Sequence, residues 1–214
     1  MTKTILCYGD SNTHGTAPLE HIEDLRRFGP EERWPGRLAR RLGEGFHVIE
    51  EGLPGRTTVH PDPIEGLFKN GLPGLQAALE THVPIDLITI MLGTNDLKPR
   101  FGVGAEDISF SVELLVRTVV SSVAGPDGRA PQVLLIAPPP VLEAGCLALI
   151  FRGGAKESKG FGRFYAEAAR RTGVHFLDAG KHIVSSPVDG VHFDVGEHAK
   201  LADAVAEKIA TITL

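Results

Sequence analysis

Short apolar runs alternate with longer amphipathic stretches along this chain, and that alternation constrains its fold more than any other feature. Residues 3–9 (KTILCYG), 46–52 (FHVIEEG), 85–93 (IDLITIMLG), 132–138 (QVLLIAP) and 174–179 (VHFLDA) have the length of strands. Runs that are apolar on both faces suit parallel strands covered on both sides. Between and after them lie 34–45, 72–82, 106–125, 155–173 and 196–212, with apolar residues at helical spacing. Leu75, Ala78, Leu79 and His82 share one face of the second stretch. Gly125–Pro126 and Gly173 mark where the third and fourth should stop. The order is strand then helix throughout. It predicts an α/β fold: a three-layer α/β/α flavodoxin-like sandwich on a five-stranded parallel sheet of order 2-1-3-4-5.

A length of 214 residues predicts one domain over 1–214. The net charge of −5 argues against a nucleic-acid partner, whose backbone is held by clustered Lys and Arg. The only cysteines, Cys7 and Cys146, exclude a disulfide scaffold and a cysteine-rich zinc site. No run reaches the roughly 18–20 apolar residues of a membrane span. The opening MTKTILCYGD turns polar too early for a signal-peptide core. A cytoplasmic protein with no membrane partner is expected.

In an open parallel sheet, ligands bind beyond the carboxyl ends of the strands, near the reversal of strand order. Gly9-Asp10-Ser11-Asn12 follows the first strand and Gly52-Leu53-Pro54-Gly55-Arg56-Thr57 the second. Gly93-Thr94-Asn95-Asp96 follows the third, and Asp189-Gly190-Val191-His192 lies beyond the fifth. Two connections, 53–71 and 138–155, are longer than a link requires, and such loops tend to carry function.

GDSN at 9–12, the glycine of LPGRT, GTND at 93–96 and DGVHF at 189–193 resemble, in order, the four sequence blocks of the SGNH hydrolases, the GDSL-type esterases. The surrounding residues are most similar to the bacterial arylesterase and acyltransferase branch. The resemblance implies hydrolysis of short-chain and aryl esters and, in some members, acyl transfer to alcohols or hydrogen peroxide. Several members form oligomers, so a homo-oligomer is expected. Pro54 departs from the small residue that many relatives carry there.

The residues also stand on their own chemistry. Ser11 is a weak nucleophile until a base takes its proton. His192 is the obvious base, and Asp189, three residues earlier, can hold the imidazole in the correct tautomer. Nothing reads as G-x-S-x-G, which disfavours the elbow-type α/β-hydrolases. The backbone N–H of Ser11, the backbone N–H of Gly55 and the side-chain amide of Asn95 fit an oxyanion hole, the roles the family gives the matching positions.

Asp10, Asn12, Thr94, Lys98, Phe151 and Val191 are expected to line the substrate crevice, with Asp10 and Asp96 bracing it through backbone hydrogen bonds. Lys98 and Arg56 read as crevice rim or, more simply, as solvated surface. His14 lies close to Ser11 but has no carboxylate to orient it. Leu147 to Phe151 is too apolar for a free loop and should cover the acyl pocket, contact a neighbouring subunit, or both. No cofactor and no metal are expected, and the partner is a small-molecule ester. A carbohydrate O-acetyl esterase on the same site is the nearest alternative. More distant ones are a flavodoxin-like FMN or nucleotide binder using 11–16, a metal-assisted hydrolase using Asp10, Asp96, Asp189 and His192, and a non-catalytic carbohydrate-binding protein.

Overall fold

The computed structural model describes residues 2–214. Its five strands are β1 (Lys3–Gly9), β2 (Phe46–Gly52), β3 (Leu87–Met91), β4 (Gln132–Ala137) and β5 (His175–Asp178). All pair in parallel, in the order β2-β1-β3-β4-β5. β1, β3 and β4 are covered on both faces, as their apolar runs require. β2 is an edge strand and stays half-buried, so it tolerates Glu50 and Glu51, which pair with Arg33 and His82.

Alternate side chains of the central strands feed two separate cores. Ile5, Cys7, Leu134 and Ile136 pack on one face with Trp34 and Leu38 of α2 (Trp34–Leu42) and Leu201, Val205 and Ile209 of α7 (Val195–Ile209). Leu6, Tyr8, Ile88, Ile90 and Leu135 pack on the other. There they meet α3 (Gly71–Thr81), α4 (Ala105–Val120) and α6 (Phe161–Thr172). Each fully buried Leu or Ile contributes about 1.5–3 kcal/mol, so the sheet is a stiff platform for whatever its strand ends carry.

The stretches 34–45 and 196–212 are helical to Leu42 and Ile209, and two other helices depart further from their sequence-based limits. The 106–125 stretch is helical only to Val120, because the Ser122 hydroxyl bonds the Val119 carbonyl and turns the chain out before Gly125. The 155–173 stretch is broken into α5 (Gly154–Glu157), a 3₁₀ turn (Ser158–Gly160) and α6. At the break the Ser158 hydroxyl donates to the Gly154 carbonyl and accepts from Val141 N–H, tying this turn to the 138–155 loop. Among the described residues no helix is long and apolar enough to cross a membrane.

Candidate active site

β1 ends at Gly9, and the chain folds at once into a single helical turn, α1 (Ser11–His14). A Cβ on Gly9 would overlap the Thr13 side chain, so only glycine permits so tight a reversal. Asp10 caps the turn by accepting Asn12 N–H at 2.9 Å. Ser11 is thereby held at the carboxyl edge of the sheet with 6% of its surface exposed. Residues 11–13 are buried as a turn and do not form an open hydroxyl-rich loop.

The Asp189–His192 turn comes to Ser11 from the far end of the chain. Gly190 takes φ +80°, the left-handed region that a side chain would strain. Its N–H donates to Ser186 and its carbonyl accepts Leu142 N–H at 2.7 Å. Asp189 Oδ1 accepts the N–H groups of Val191 and His192, both at 2.9 Å. Asp189 Oδ2 accepts Leu19 N–H at 2.7 Å and stands 2.6 Å from His192 Nδ1. An ionised carboxylate only accepts, so Nδ1 carries the proton and Nε2 presents its lone pair. Nε2 lies 3.0 Å from Ser11 Oγ. Burial would push the Asp189 carboxyl up, but the His192 ring and the Leu19 and Val191 N–H groups outweigh it and hold it below the usual range.

Beside Ser11 lie three potential donors. The N–H groups of Ser11 and Gly55 have no protein acceptor among the described residues. Gly55 takes φ +77° and lines the same cavity. Asn95 Nδ2 donates one hydrogen to the Arg56 carbonyl at 3.1 Å, which fixes the amide and leaves its second hydrogen free. Ser11, Gly55, Asn95 and His192 converge on a cavity of about 260 Å³. Leu19, Leu25, Leu147, Ile150, Phe151 and Val191 supply its apolar lining. Glu65, Lys98, Asp24 and Arg26 supply its charged borders.

Three of the expected lining residues are not in that wall. Asp10 is buried behind the turn, and burial pushes its carboxyl up to about 6 while Asn12 N–H partly offsets this. Asn12 donates to the Val191 carbonyl at 3.2 Å and so ties α1 to the His192 turn. Thr94 is buried and offers its carbonyl to Leu97 N–H. All three hold the loops from behind, because the tight turns after β1 and β3 direct them into the fold. Lys98, Phe151 and Val191 do line the cavity. Lys98 is not solvated surface: it is 3% exposed and pairs with Glu65. The apolar loop turns Leu147 and Phe151 into the cavity wall and leaves Leu149 outside.

Arg56 is also buried, against the expectation of a solvated rim. Its guanidinium stacks 4.1 Å over the Tyr8 ring and donates to the carbonyls of Gly9 and Glu51. It therefore clamps the ends of β1 and β2 beside the loop that carries Gly55. Asp96 accepts both N–H and O–H from Thr58 and stands 2.8 Å from His60 Nδ1, which braces the same loop. Among the described residues no group of three or more His, Cys, Asp or Glu side chains could hold a metal ion. The His14 ring bonds only to the Thr16 hydroxyl among the described residues, and no carboxylate orients it.

Comparison with known proteins shows the family and the fold. The sequence profile of the GDSL-like Lipase/Acylhydrolase family matches residues 7–198. The native aryl esterase of M. smegmatis is 41% identical over 99% of this chain and 100% of that chain, with a TM-score of 0.94. Est24, a carbohydrate acetylesterase from Sinorhizobium meliloti, is 37% identical over 99% of this chain and 100% of that one, with a TM-score of 0.95. A carbohydrate acetylesterase family member from the same organism is 35% identical over 97% of each chain, with a TM-score of 0.89. A search of curated proteins finds no match. With nine-tenths of its residues inside the family profile, the chain belongs to the GDSL-like lipase/acylhydrolase family of ester hydrolases.

Proposed function

We propose that this chain is a serine esterase acting on short-chain carboxylic esters, aryl esters included, through an acyl-enzyme on Ser11. The observation that carries the reading is the run of contacts Ser11 Oγ, His192 Nε2, His192 Nδ1, Asp189 Oδ2 at 3.0 and 2.6 Å, beside two unpartnered N–H groups. As Ser11 Oγ attacks the carbonyl carbon, its proton passes to His192 Nε2 and the C=O π pair moves onto oxygen. That oxygen is received by Ser11 N–H, Gly55 N–H and the free hydrogen of Asn95. The tetrahedral species collapses as its bond to the alcohol or phenol breaks, and His192 returns the proton to the leaving oxygen. Water then repeats the cycle on the acyl-enzyme, with His192 again as base. An alcohol or hydrogen peroxide entering in place of water would give acyl transfer. The small cavity, lined by Phe151 and Leu147, favours short acyl groups.

A second reading, O-acetyl esters of carbohydrates, is favoured by the charged borders of the cavity and by the likeness to Est24. Both readings use the same acyl-enzyme and differ in the alcohol released. Leu25, Ile64, Leu67, Phe68 and Leu149 are each exposed, and exposed apolar side chains of this size support association with further copies of the chain.

The test is turnover of p-nitrophenyl acetate by the intact protein and by Ser11→Ala, each with and without a chelator. Turnover that survives the chelator and disappears in Ser11→Ala supports the serine esterase. Turnover that survives in Ser11→Ala overturns it. Release of acetate from acetylated sugars against aryl acetates then separates the two readings.

A further inference from the structure

We propose that Lys69 is a positioning residue for the oxyanion hole: its ammonium holds and polarises the peptide unit whose N–H is the Gly55 donor. The proposal rests on the esterase reading for the role of that N–H.

A lysine near the surface gains most by extending its charge into water. Lys69 instead turns back and donates from Nζ to the Pro54 carbonyl at 2.7 Å. The Pro54 carbonyl and the Gly55 N–H are the two ends of one planar, resonance-stabilised amide. A cation drawing on the oxygen shifts electron density away from nitrogen and makes the N–H a stronger donor. Hydrogen bonds in series strengthen one another in this way, and a charged donor does so more than a neutral one.

The contact is built rather than incidental. Lys69 closes a 3₁₀ turn, Leu67–Lys69, and its own carbonyl accepts Thr57 N–H at 2.9 Å from the Gly55 loop. Its Nζ lies 4.8 Å from the centre of the Phe68 ring, which shields one side of the charge. Its stem packs on Gly55, where an added Cβ would come within 3.3 Å of Lys69 Cε. The Glu65 carboxylate abuts the same point on Gly55 and pairs with Lys98. Burial draws the Lys69 ammonium below its ordinary pKa, and the charge of Glu65 offsets this in part. Both Lys69 and Glu65 belong to the long 53–71 connection, which this arrangement turns into a support for one hole donor.

Lys69→Met and Lys69→Arg are compared with the wild type in three measurements. These are kcat and KM for p-nitrophenyl acetate, affinity for phenylboronic acid, and the amide ¹⁵N shift of Gly55. Phenylboronic acid forms a tetrahedral adduct with serine hydroxyls and places an oxygen in the hole. Lys69→Met should lose about tenfold in kcat, less than removal of a whole donor, with KM unchanged. Boronate affinity should fall by the same factor, and the Gly55 resonance should move. Lys69→Arg should recover most of each. Should Lys69→Met not fold, Lys69→Gln carries the same comparison. A wild-type kcat in the neutral variant, or a Gly55 resonance that stays in place, overturns the proposal. A wild type that turns over no ester refutes the functional reading instead, while the Gly55 shift still reports on Lys69.

Discussion

His192 reaches Ser11 across 181 residues of sequence, with Nε2 at 3.0 Å from the hydroxyl, while Nδ1 stands 2.6 Å from the carboxylate of Asp189. The carboxylate is itself held by three backbone N–H groups, from Leu19, Val191 and His192. It is therefore fixed in place before any substrate arrives, and the imidazole tautomer is fixed with it.

Asp189→Asn tests that tautomer. The amide can present a donor where the carboxylate accepted, which stabilises the proton on Nε2 and leaves no lone pair for Ser11. Turnover of p-nitrophenyl acetate should fall on the order of 10⁴-fold, as in other triads deprived of the carboxylate. A loss under a hundredfold in a variant with an unchanged melting temperature would show that Asp189 serves the turn and not the imidazole.

Asn95→Ala removes one hole donor and orphans the Arg56 carbonyl, which has Asn95 Nδ2 as its partner. The expected loss in kcat is on the order of 10²–10³-fold, with little change in KM because the interaction forms in the transition state. Steady-state kinetics at saturating ester measure it. A loss of tenfold or less would make Asn95 a brace for the Arg56 loop.

Phe151→Ala tests the acyl pocket. The ring is buried and lines the same cavity as Gly55 and Asn95. Its removal should cost about 3–5 kcal/mol of stability, the usual range for a buried Phe cut to Ala. It should also raise turnover of the p-nitrophenyl hexanoate ester relative to the acetate. An unchanged hexanoate-to-acetate ratio would place the acyl chain elsewhere.

What could be read without the structure follows from how local the signal is. A glycine and a small polar residue at a strand end report their own turn, so the segments at Ser11, Gly55, Asn95 and Asp189–His192 were visible one at a time. The parallel topology then brought them to one edge. Burial of a charge depends on partners far along the chain and leaves no local mark. Arg56 reaches Gly9 across 47 residues, and Lys98 reaches Glu65 across 33. The inward direction of Asp10, Asn12 and Thr94 is likewise set by turn geometry rather than residue type. The early end of α4 at Val120 turned on a single hydroxyl, that of Ser122.

Acid should destabilise the fold through His198, a residue outside the reaction. Its ring is fully buried on α7, and Nδ1 accepts Trp34 N–H at 3.2 Å, which caps the start of α2. Nε2 has no polar partner, and the ring meets Phe28 and Phe193 edge-on at 5.5 and 5.6 Å. Protonating Nδ1 would break the Trp34 bond and bury a charge among aromatics. Burial, with His192 and Arg37 adding to it, pushes His198 down to about 3 from the ordinary 6.5. The unfolded chain therefore takes up this proton first. The stability that neutral His198 supplies is complete above pH 6.5 and is lost as pH falls towards 3, at up to about 1.4 kcal/mol per pH unit. His198→Gln, whose amide oxygen can still accept from Trp34, removes that slope. Its melting temperature should fall less than that of the wild type between pH 7 and pH 4. Parallel curves for the two proteins would mean that His198 takes up its proton inside the folded chain.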